Sequence, residues 1–223
     1  MDFRDVEIEP SLYAADFAHL GDQIQTLLGA GTRIFHFDVG DGHFVEPVTI
    51  GPIVLQSISQ LIHSVGGFID CHLMTEAPEK HFHAVARAGG DSVTVHYEAV
   101  DDLSRVATAA RDEELGIGLA FKPETSPADA VDAAVAADVD LVLCMSIEPG
   151  YSGQPFMPEA YGRLTETRER LPDGVPLQVD GGITLDNVCL ARDAGANLFV
   201  AGSSVFSRGN IAEAYRALVQ AVA

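Results

Sequence analysis

Arg33-Ile34-Phe35-His36-Phe37-Asp38-Val39, followed by Gly40-Asp41-Gly42-His43-Phe44, is the stretch from which the architecture of this chain can be read. Its apolar residues are nearly continuous rather than alternating, the pattern of a parallel strand covered on both faces. Seven further runs of this kind occur: Glu7–Tyr13, Phe68–Met74, Ser92–His96, Ile117–Phe121, Leu141–Met145, Pro176–Asp180 and Asn197–Ala201. Amphipathic segments separate them. Eight β–α units joined by right-handed crossovers predict an α/β fold that closes into a (β/α)8 TIM barrel. A doubly wound open sheet is the alternative, but the even repeat favours closure. No Pro/Ser-rich linker, charge block or low-complexity segment interrupts residues 1–223, which predicts a single domain.

The intervening segments carry helix signals. Asp16 precedes Phe17, Leu20, Ile24 and Leu27, which share one face at a 3.6-residue period. Pro52, Pro78, Pro127 and Pro158 are predicted in first helical turns, where a missing N–H costs least. Ser126 before Pro127, with Asp129 three residues on, reads as an N-cap. Asn210 with Glu213 opens a last helix whose Ile211, Ala214, Tyr215, Leu218 and Val222 form its buried stripe.

Charge narrows the partners. The chain has 33 acidic against 13 basic residues, a formal net charge of -20. Nucleic acid and anionic membranes need a basic surface, so both are excluded as expected partners. A phosphate ligand would have to be held by local backbone donors, not by the global field. Met1 to Pro10 has no apolar core, and no apolar run approaches the roughly 18 residues of a membrane span. Cys71, Cys144 and Cys189 are widely spaced and odd in number, as expected of free thiols in a reducing cytoplasm.

Strand ends from distant parts of the sequence converge on one face of a parallel barrel, and this chain places ionisable residues there. His36 and Asp38 lie two apart, so both point to one side of their strand, the barrel interior near its C-terminal mouth. His72 ends the third strand within Asp70-Cys71-His72-Leu73-Met74, and Asp180 ends the seventh within Gln178-Val179-Asp180-Gly181-Gly182-Ile183-Thr184. If the strands converge, two imidazoles and two carboxylates make a divalent-metal ligand set whose carboxylates can also move protons. Side-chain pattern alone does not separate that from a hydrogen-bonded His pair. Asp70 either orients an imidazole or is an ordinary polar strand residue. Asp41 and Gly42 read as a turn, and His43 either reaches substrate or braces that turn. Ser11 can hydrogen-bond a substrate hydroxyl or its own backbone.

Two small-residue turns mark where an anion could be held. Gly181-Gly182 follows the seventh strand and Gly202-Ser203 the eighth, and loops at those positions commonly cradle phosphate. The long loop Glu148-Pro149-Gly150-Tyr151-Ser152-Gly153-Gln154-Pro155-Phe156 reads as a lid, with an ordinary surface connection as the plain alternative. His19, His63, His81 and His83 fall on helices or helix ends and carry no signal of function.

Taken in order, Pro10-Ser11-Leu12, Asp16-Phe17, His36-Phe37-Asp38-Val39, Asp41-Gly42-His43-Phe44-Val45, His72-Leu73-Met74, Glu148-Pro149-Gly150, Gly153-Gln154 with Phe156, Val179-Asp180-Gly181-Gly182 and Ala194-Gly195-Ala196-Asn197 resemble the ribulose-phosphate 3-epimerase family. The resemblance runs through nearly the whole chain. It implies a barrel of the ribulose-phosphate-binding type and an enzyme that inverts C3 of a ketose phosphate, D-ribulose 5-phosphate to D-xylulose 5-phosphate. It implies that His36, Asp38, His72 and Asp180 bind one divalent metal, zinc first, with iron, manganese or cobalt as alternatives. Asp38 and Asp180 would be the acid/base pair. Ser11, His72, Met74 and Met145 would contact substrate, and Gly150, Tyr151, Ser152, Gly153, Gly181, Gly182, Gly202 and Ser203 would surround its phosphate. Family members are often dimers or hexamers, so a homo-oligomer is implied as well.

Four residues or pairs depart from the family pattern. Gly40 stands where a methionine is usual, Tyr13 where an aliphatic residue is, Glu46-Pro47 in place of Pro-Asn, and Ser152 in place of glycine or alanine. None is a ligand position. Gly40 and Tyr13 together read as an exchange of bulk across the pocket, which would change the sugar accepted, for example to D-allulose 6-phosphate. Gly40 and Ser152 also raise a non-catalytic sugar-phosphate binder as a further reading, against which the two retained aspartates stand.

Overall fold

The computed structural model describes residues 5–223. Its eight strands are β1 (Glu7–Pro10), β2 (Ile34–Gly40), β3 (Phe68–Met74), β4 (Ser92–His96), β5 (Gly116–Phe121), β6 (Leu141–Met145), β7 (Leu177–Asp180) and β8 (Leu198–Ala201). All ladders are parallel, in the order β1-β8-β7-β6-β5-β4-β3-β2. Among the described residues, the ring closes between β1 and β2 through one isolated bridge, Ser11–His36. By contrast, β2 and β3 pair over seven registered positions, from Ile34–Phe68 to Gly40–Met74. The helices are α1 (Leu20–Ala30), α2 (Pro52–His63), α3 (Phe82–Ala88), α4 (Leu103–Asp112), α5 (Pro127–Ala137), α6 (Ala160–Arg170), α7 (Val188–Asp193), α8 (Ser203–Phe206) and α9 (Ile211–Val222). The fold is a nearly closed (β/α)8 barrel.

The continuous apolar strands are explained by two separate interiors. One side of each strand packs under the helices: Phe35, Phe37, Cys71, Val93, Val95, Leu119, Val179 and Phe199 belong to this outer core with Ile24, Leu55, Val106, Leu164 and Leu218. The alternate residues fill the barrel. On β2, β3 and β4 these are polar and buried: His36, Asp38, Asp70, His72, Ser92, Thr94 and His96. On β5 and β6 they are apolar: Ala120, Leu141, Leu143 and Met145 form a second buried cluster with Ile147.

Local signals were mostly honoured. Asn210 caps α9 by accepting from the Glu213 N–H at 3.2 Å, and Ser126 caps α5 through Asp129 N–H at 3.4 Å. Beyond single-residue shifts at the ends of β2, β5, β7 and β8, four readings differ from the structure. β1 ends at Pro10, because Leu12–Ala14 turns as a 3-10 helix with Ala14 N–H donating to Ser11 O at 3.1 Å. Asp16 caps a short turn at Phe17–His19 rather than α1, leaving Phe17 50% exposed and off the buried stripe of Leu20, Ile24 and Leu27. Pro78 opens a 3-10 turn before α3. Pro158 stands ahead of the α6 N-cap, where Tyr161 N–H bonds its carbonyl at 3.2 Å.

Candidate active site

Period two along β2 puts His36 and Asp38 inside the barrel, and the β2–β3 register sets Asp38 beside His72. Asp180, the last residue of β7, completes the group. Ligand atoms of His36, Asp38, His72 and Asp180 all lie within 4.8 Å of one another. His72 Nδ1 is 3.2 Å from Asp38 Oδ1 and 3.8 Å from Asp180 Oδ2. His36 Nε2 is 3.3 Å from the same Asp38 oxygen, and its Nδ1 is 3.4 Å from Asp70 Oδ2. Neither His36 contact has hydrogen-bonding geometry, so both nitrogens of this buried ring lack a partner. Buried polar atoms are seldom left so. Orphaned imidazole nitrogen and two carboxylates converging with a second imidazole fit a divalent ion that takes mixed N/O ligands. No helix among the described residues is long and apolar enough to cross a membrane.

Burial and charge split the two carboxylates. Burial alone would raise Asp38, but His36 and His72 outweigh it and hold its carboxyl far below the usual range. Asp180 is raised to about 6, first by burial and then by the neighbouring Asp38 charge. Burial pulls the His36 proton affinity down, yet Asp38, Asp70 and Asp180 overcome this and hold it well above its ordinary value. Ser11 Oγ donates to Asp38 Oδ2 at 2.6 Å, so Ser11 is tied to the carboxylate rather than to its own backbone.

Above this group opens a pocket at the barrel mouth. Ser11, Asp38, Met74, Met145, Gly150, Tyr151, Ser152, Gly153, Asp180, Gly181, Gly182, Gly202 and Ser203 all line it. His36 and His72 lie fully buried beneath. Ile147, Ile183 and Val200 complete the wall, along with Tyr13. Gly182, at φ 62°, faces Phe156 N and Gln154 O so closely that a Cβ would stand 2.5 and 2.8 Å from them. The long loop after β6 therefore rests on the β7 turn. Its own span is tied by the Gln154 amide, which donates to Glu148 O at 2.9 Å and Tyr151 O at 3.0 Å.

The expected exchange of bulk at Gly40 is not what the structure contains. A Cβ on Gly40 would lie 2.8 Å from Pro47 O, 3.0 Å from Val45 and 3.1 Å from Thr49. The loop after β2 folds back on the strand end, through an Asp41–Val48 bridge and Thr49 N–H donating to Gly40 O at 3.2 Å. The room a methionine would use is filled by that loop, so Gly40 and Glu46-Pro47 are one linked change. Asp41 is the turn former: it accepts from His43, Phe44 and Glu76 N–H groups, and His43 is exposed.

Three groups were not found from the sequence. His96, on β4, has its Nε2 2.9 Å from His72 Nε2, and burial draws its pKa down to about 4, leaving it neutral. Glu98 lies next to His96, and Glu9 lies under His36. Burial, reinforced by Asp70, pushes the Glu9 carboxyl up to about 8, and Gln178 Nε2 donates to it at 2.5 Å. Asp70, left open between two roles, accepts from Ser92 Oγ at 2.6 Å while facing His36.

Comparison with known proteins gives one answer at the level of sequence. The model of the ribulose-phosphate 3 epimerase family matches residues 7–206. The ribulose-phosphate 3-epimerase of Schizosaccharomyces pombe is 39% identical over 200 residues, covering 90% of this chain and 86% of that relative. The ribulose-phosphate 3-epimerase of Escherichia coli strain K12 is 37% identical over 204 residues, covering 90% and 89%. Among solved structures, a 3-hexulose-6-phosphate synthase superposes with a TM-score of 0.74 at 18% identity, over 97% of this chain and 100% of that one. Orotidine 5'-phosphate decarboxylase from Pyrococcus horikoshii gives 0.70 at 16%, over 96% and 98%. At such identities these two show the shared barrel alone.

Proposed function

This chain belongs to the ribulose-phosphate 3-epimerase family, a group of isomerases, and from that premise we propose that it is a divalent-metal-dependent epimerase. Its reaction is inversion at C3 of a ketose phosphate, with D-ribulose 5-phosphate and D-xylulose 5-phosphate as the pair. The observation that carries this reading is the convergence of His36, Asp38, His72 and Asp180 at the mouth, with the two carboxylates driven apart in proton affinity.

Inversion needs one proton-transfer group on each face of the carbon. Asp38, held ionised and fixed by Ser11, is suited to take the C3 proton from one face. Asp180, at about 6, is suited to deliver a proton to the other. In the reverse direction their roles exchange. His36, Asp38, His72 and Asp180 would hold the ion, zinc first and iron, manganese or cobalt as alternatives. When bound, such an ion supplies positive charge that polarises the C2 carbonyl and offsets the charge of the deprotonated sugar. Met74 and Met145 give the reacting carbon an apolar wall.

The phosphate belongs at the other side of the pocket. Gly181, Gly182, Gly202 and Ser203 offer backbone N–H groups, Ser203 at the start of the short α8. Gly150, Tyr151, Ser152 and Gly153 close over it. Retention of the two-glycine turn favours the pentose phosphate. Tyr13 on the pocket wall favours testing D-allulose 6-phosphate beside it. The reading includes one barrel domain and a reducing cytoplasm, the latter supported by three free cysteines. It also includes a homo-oligomer, for which exposed Phe17, Val48 and Ile53 are apolar side chains to cover.

Proton NMR of zinc-loaded protein with D-ribulose 5-phosphate in D2O tests this directly. Loss of the C3 proton signal with growth of D-xylulose 5-phosphate is expected. No exchange at C3 with either sugar phosphate would overturn the epimerase reading in favour of a binder.

A further inference from the structure

The barrel interior contains a second acid–imidazole arrangement that proton transfer at C3 does not use. His96 ends β4 fully buried, its ring centroid 5.0 Å from that of His72 and the two planes 25° apart. The two rings meet Nε2 to Nε2 at 2.9 Å. On its far side, His96 Nδ1 lies 3.2 Å from Glu98 Oε2. Glu98 is itself fixed: its other oxygen accepts from Lys122 N–H at 2.8 Å and from Thr125 Oγ1. The Phe44 ring packs on His96 with centroids 4.8 Å apart, shielding the contact from the mouth.

For a neutral His96 ring this geometry fixes the proton between the two imidazoles. A carboxylate only accepts, so the proton facing Glu98 sits on His96 Nδ1. A neutral ring carries a single N–H, so His96 Nε2 is a bare acceptor. Two nitrogens 2.9 Å apart share one proton, and it must therefore belong to His72 Nε2. Nδ1, which lies 3.2 Å from Asp38 Oδ1 and can donate to it while no ion is bound, is then the nitrogen of His72 left for an ion.

We propose that His96 and Glu98 are positioning residues: the chain Glu98–His96–His72 sets the tautomer and orientation of His72, presenting Nδ1 to the metal. The proposal rests on the reading of His72 as a ligand. Partners of this kind behind a metal-bound imidazole are worth about 10- to 100-fold in metal affinity. His36 has no equivalent, since neither of its nitrogens is hydrogen-bonded.

Zinc affinity measured by chelator competition separates the two levels. His96→Leu removes the acceptor and is expected to weaken zinc by about 10- to 100-fold at one ion per chain. His96→Gln, whose amide oxygen can accept from His72 Nε2–H, is expected to recover most of that loss. Should His72→Ala bind zinc as tightly as the unaltered chain, the ligand reading itself fails. If His72→Ala loses zinc while His96→Leu keeps the unaltered affinity, only the positioning proposal fails. Imidazole 15N NMR of the unaltered, zinc-loaded chain needs no variant to fold. It is expected to show the proton on Nδ1 in His96 and on Nε2 in His72, and a proton on His96 Nε2 would overturn the proposal.

Discussion

Inside the barrel, β2, β3 and β4 line their share of the wall with His36, Asp38, Asp70, His72, Thr94 and His96, whereas β5 and β6 line theirs with Ala120, Leu141, Leu143 and Met145. Both stretches are equally buried and come from strands whose outer faces look alike. The difference is in what each must do. Charges survive out of water only when neighbouring strands supply partners, and here each ionisable side chain is set against another across a ladder. The aliphatic wall needs no partners. It withholds water from the site and so strengthens every charge interaction beside it. Asp180, at the far edge of the aliphatic wall, shows both influences in its raised proton affinity.

The largest effect should come from breaking the charged wall. Asp38→Asn and Asp180→Asn are each expected to lower kcat by about 10²- to 10⁴-fold in the zinc-loaded enzyme. Near-normal turnover in either would end the two-carboxylate scheme. Breaking the aliphatic wall should instead cost stability: Leu143→Ala is expected to lose about 2–5 kcal/mol in urea unfolding, with zinc stoichiometry unchanged. Gly40→Met tests the loop that roofs the charged side. With Pro47 O in the way, it is expected to cost about 1–3 kcal/mol through a displaced loop. A melting temperature equal to the unaltered chain would show that the loop yields freely.

A pH-dependent effect concerns the floor of the charged wall. Glu9 binds its proton up to about pH 8 in the fold, against 4.5 for an ordinary glutamate. Across that interval the folded chain holds a proton that the unfolded chain has released. Stability attributable to Glu9 therefore falls as pH rises through it, by up to about 1.4 kcal/mol per pH unit. Glu9→Gln should flatten the curve of unfolding free energy against pH between those limits. Parallel curves for the two chains would show that Glu9 is ionised throughout.

The fold was legible because its signal is repeated: eight apolar runs, each long enough to be read alone. The residues that converge at the mouth were legible because His36 and Asp38 sit two apart at a strand end and Asp180 precedes two glycines. His96, Glu98 and Glu9 were not. A lone ionisable residue at a strand end looks like any inward polar residue, and what distinguishes His96 is a neighbour 24 positions away on another strand. Gly40 failed for a different reason. Period two gives the direction in which a side chain would point, but not whether a following loop folds back into that space. The Asp41–Val48 bridge that decides the matter is a non-local contact between two residues with no strand pattern around them.

The closure of the ring has one more implication. Seven registered pairs join β2 to β3, while among the described residues one isolated bridge, Ser11–His36, joins β1 to β2. That bridge lies two residues from Asp38, which Ser11 also holds by its side chain. Local opening follows the least-bonded line in a structure. The seam along which this barrel is expected to open first, and where amide hydrogens should exchange soonest, is therefore the one that ends at the candidate ligand residues. An ion held by His36 and Asp38 on one lip of that seam and Asp180 beyond the other would bolt the cylinder shut where its backbone does least to do so.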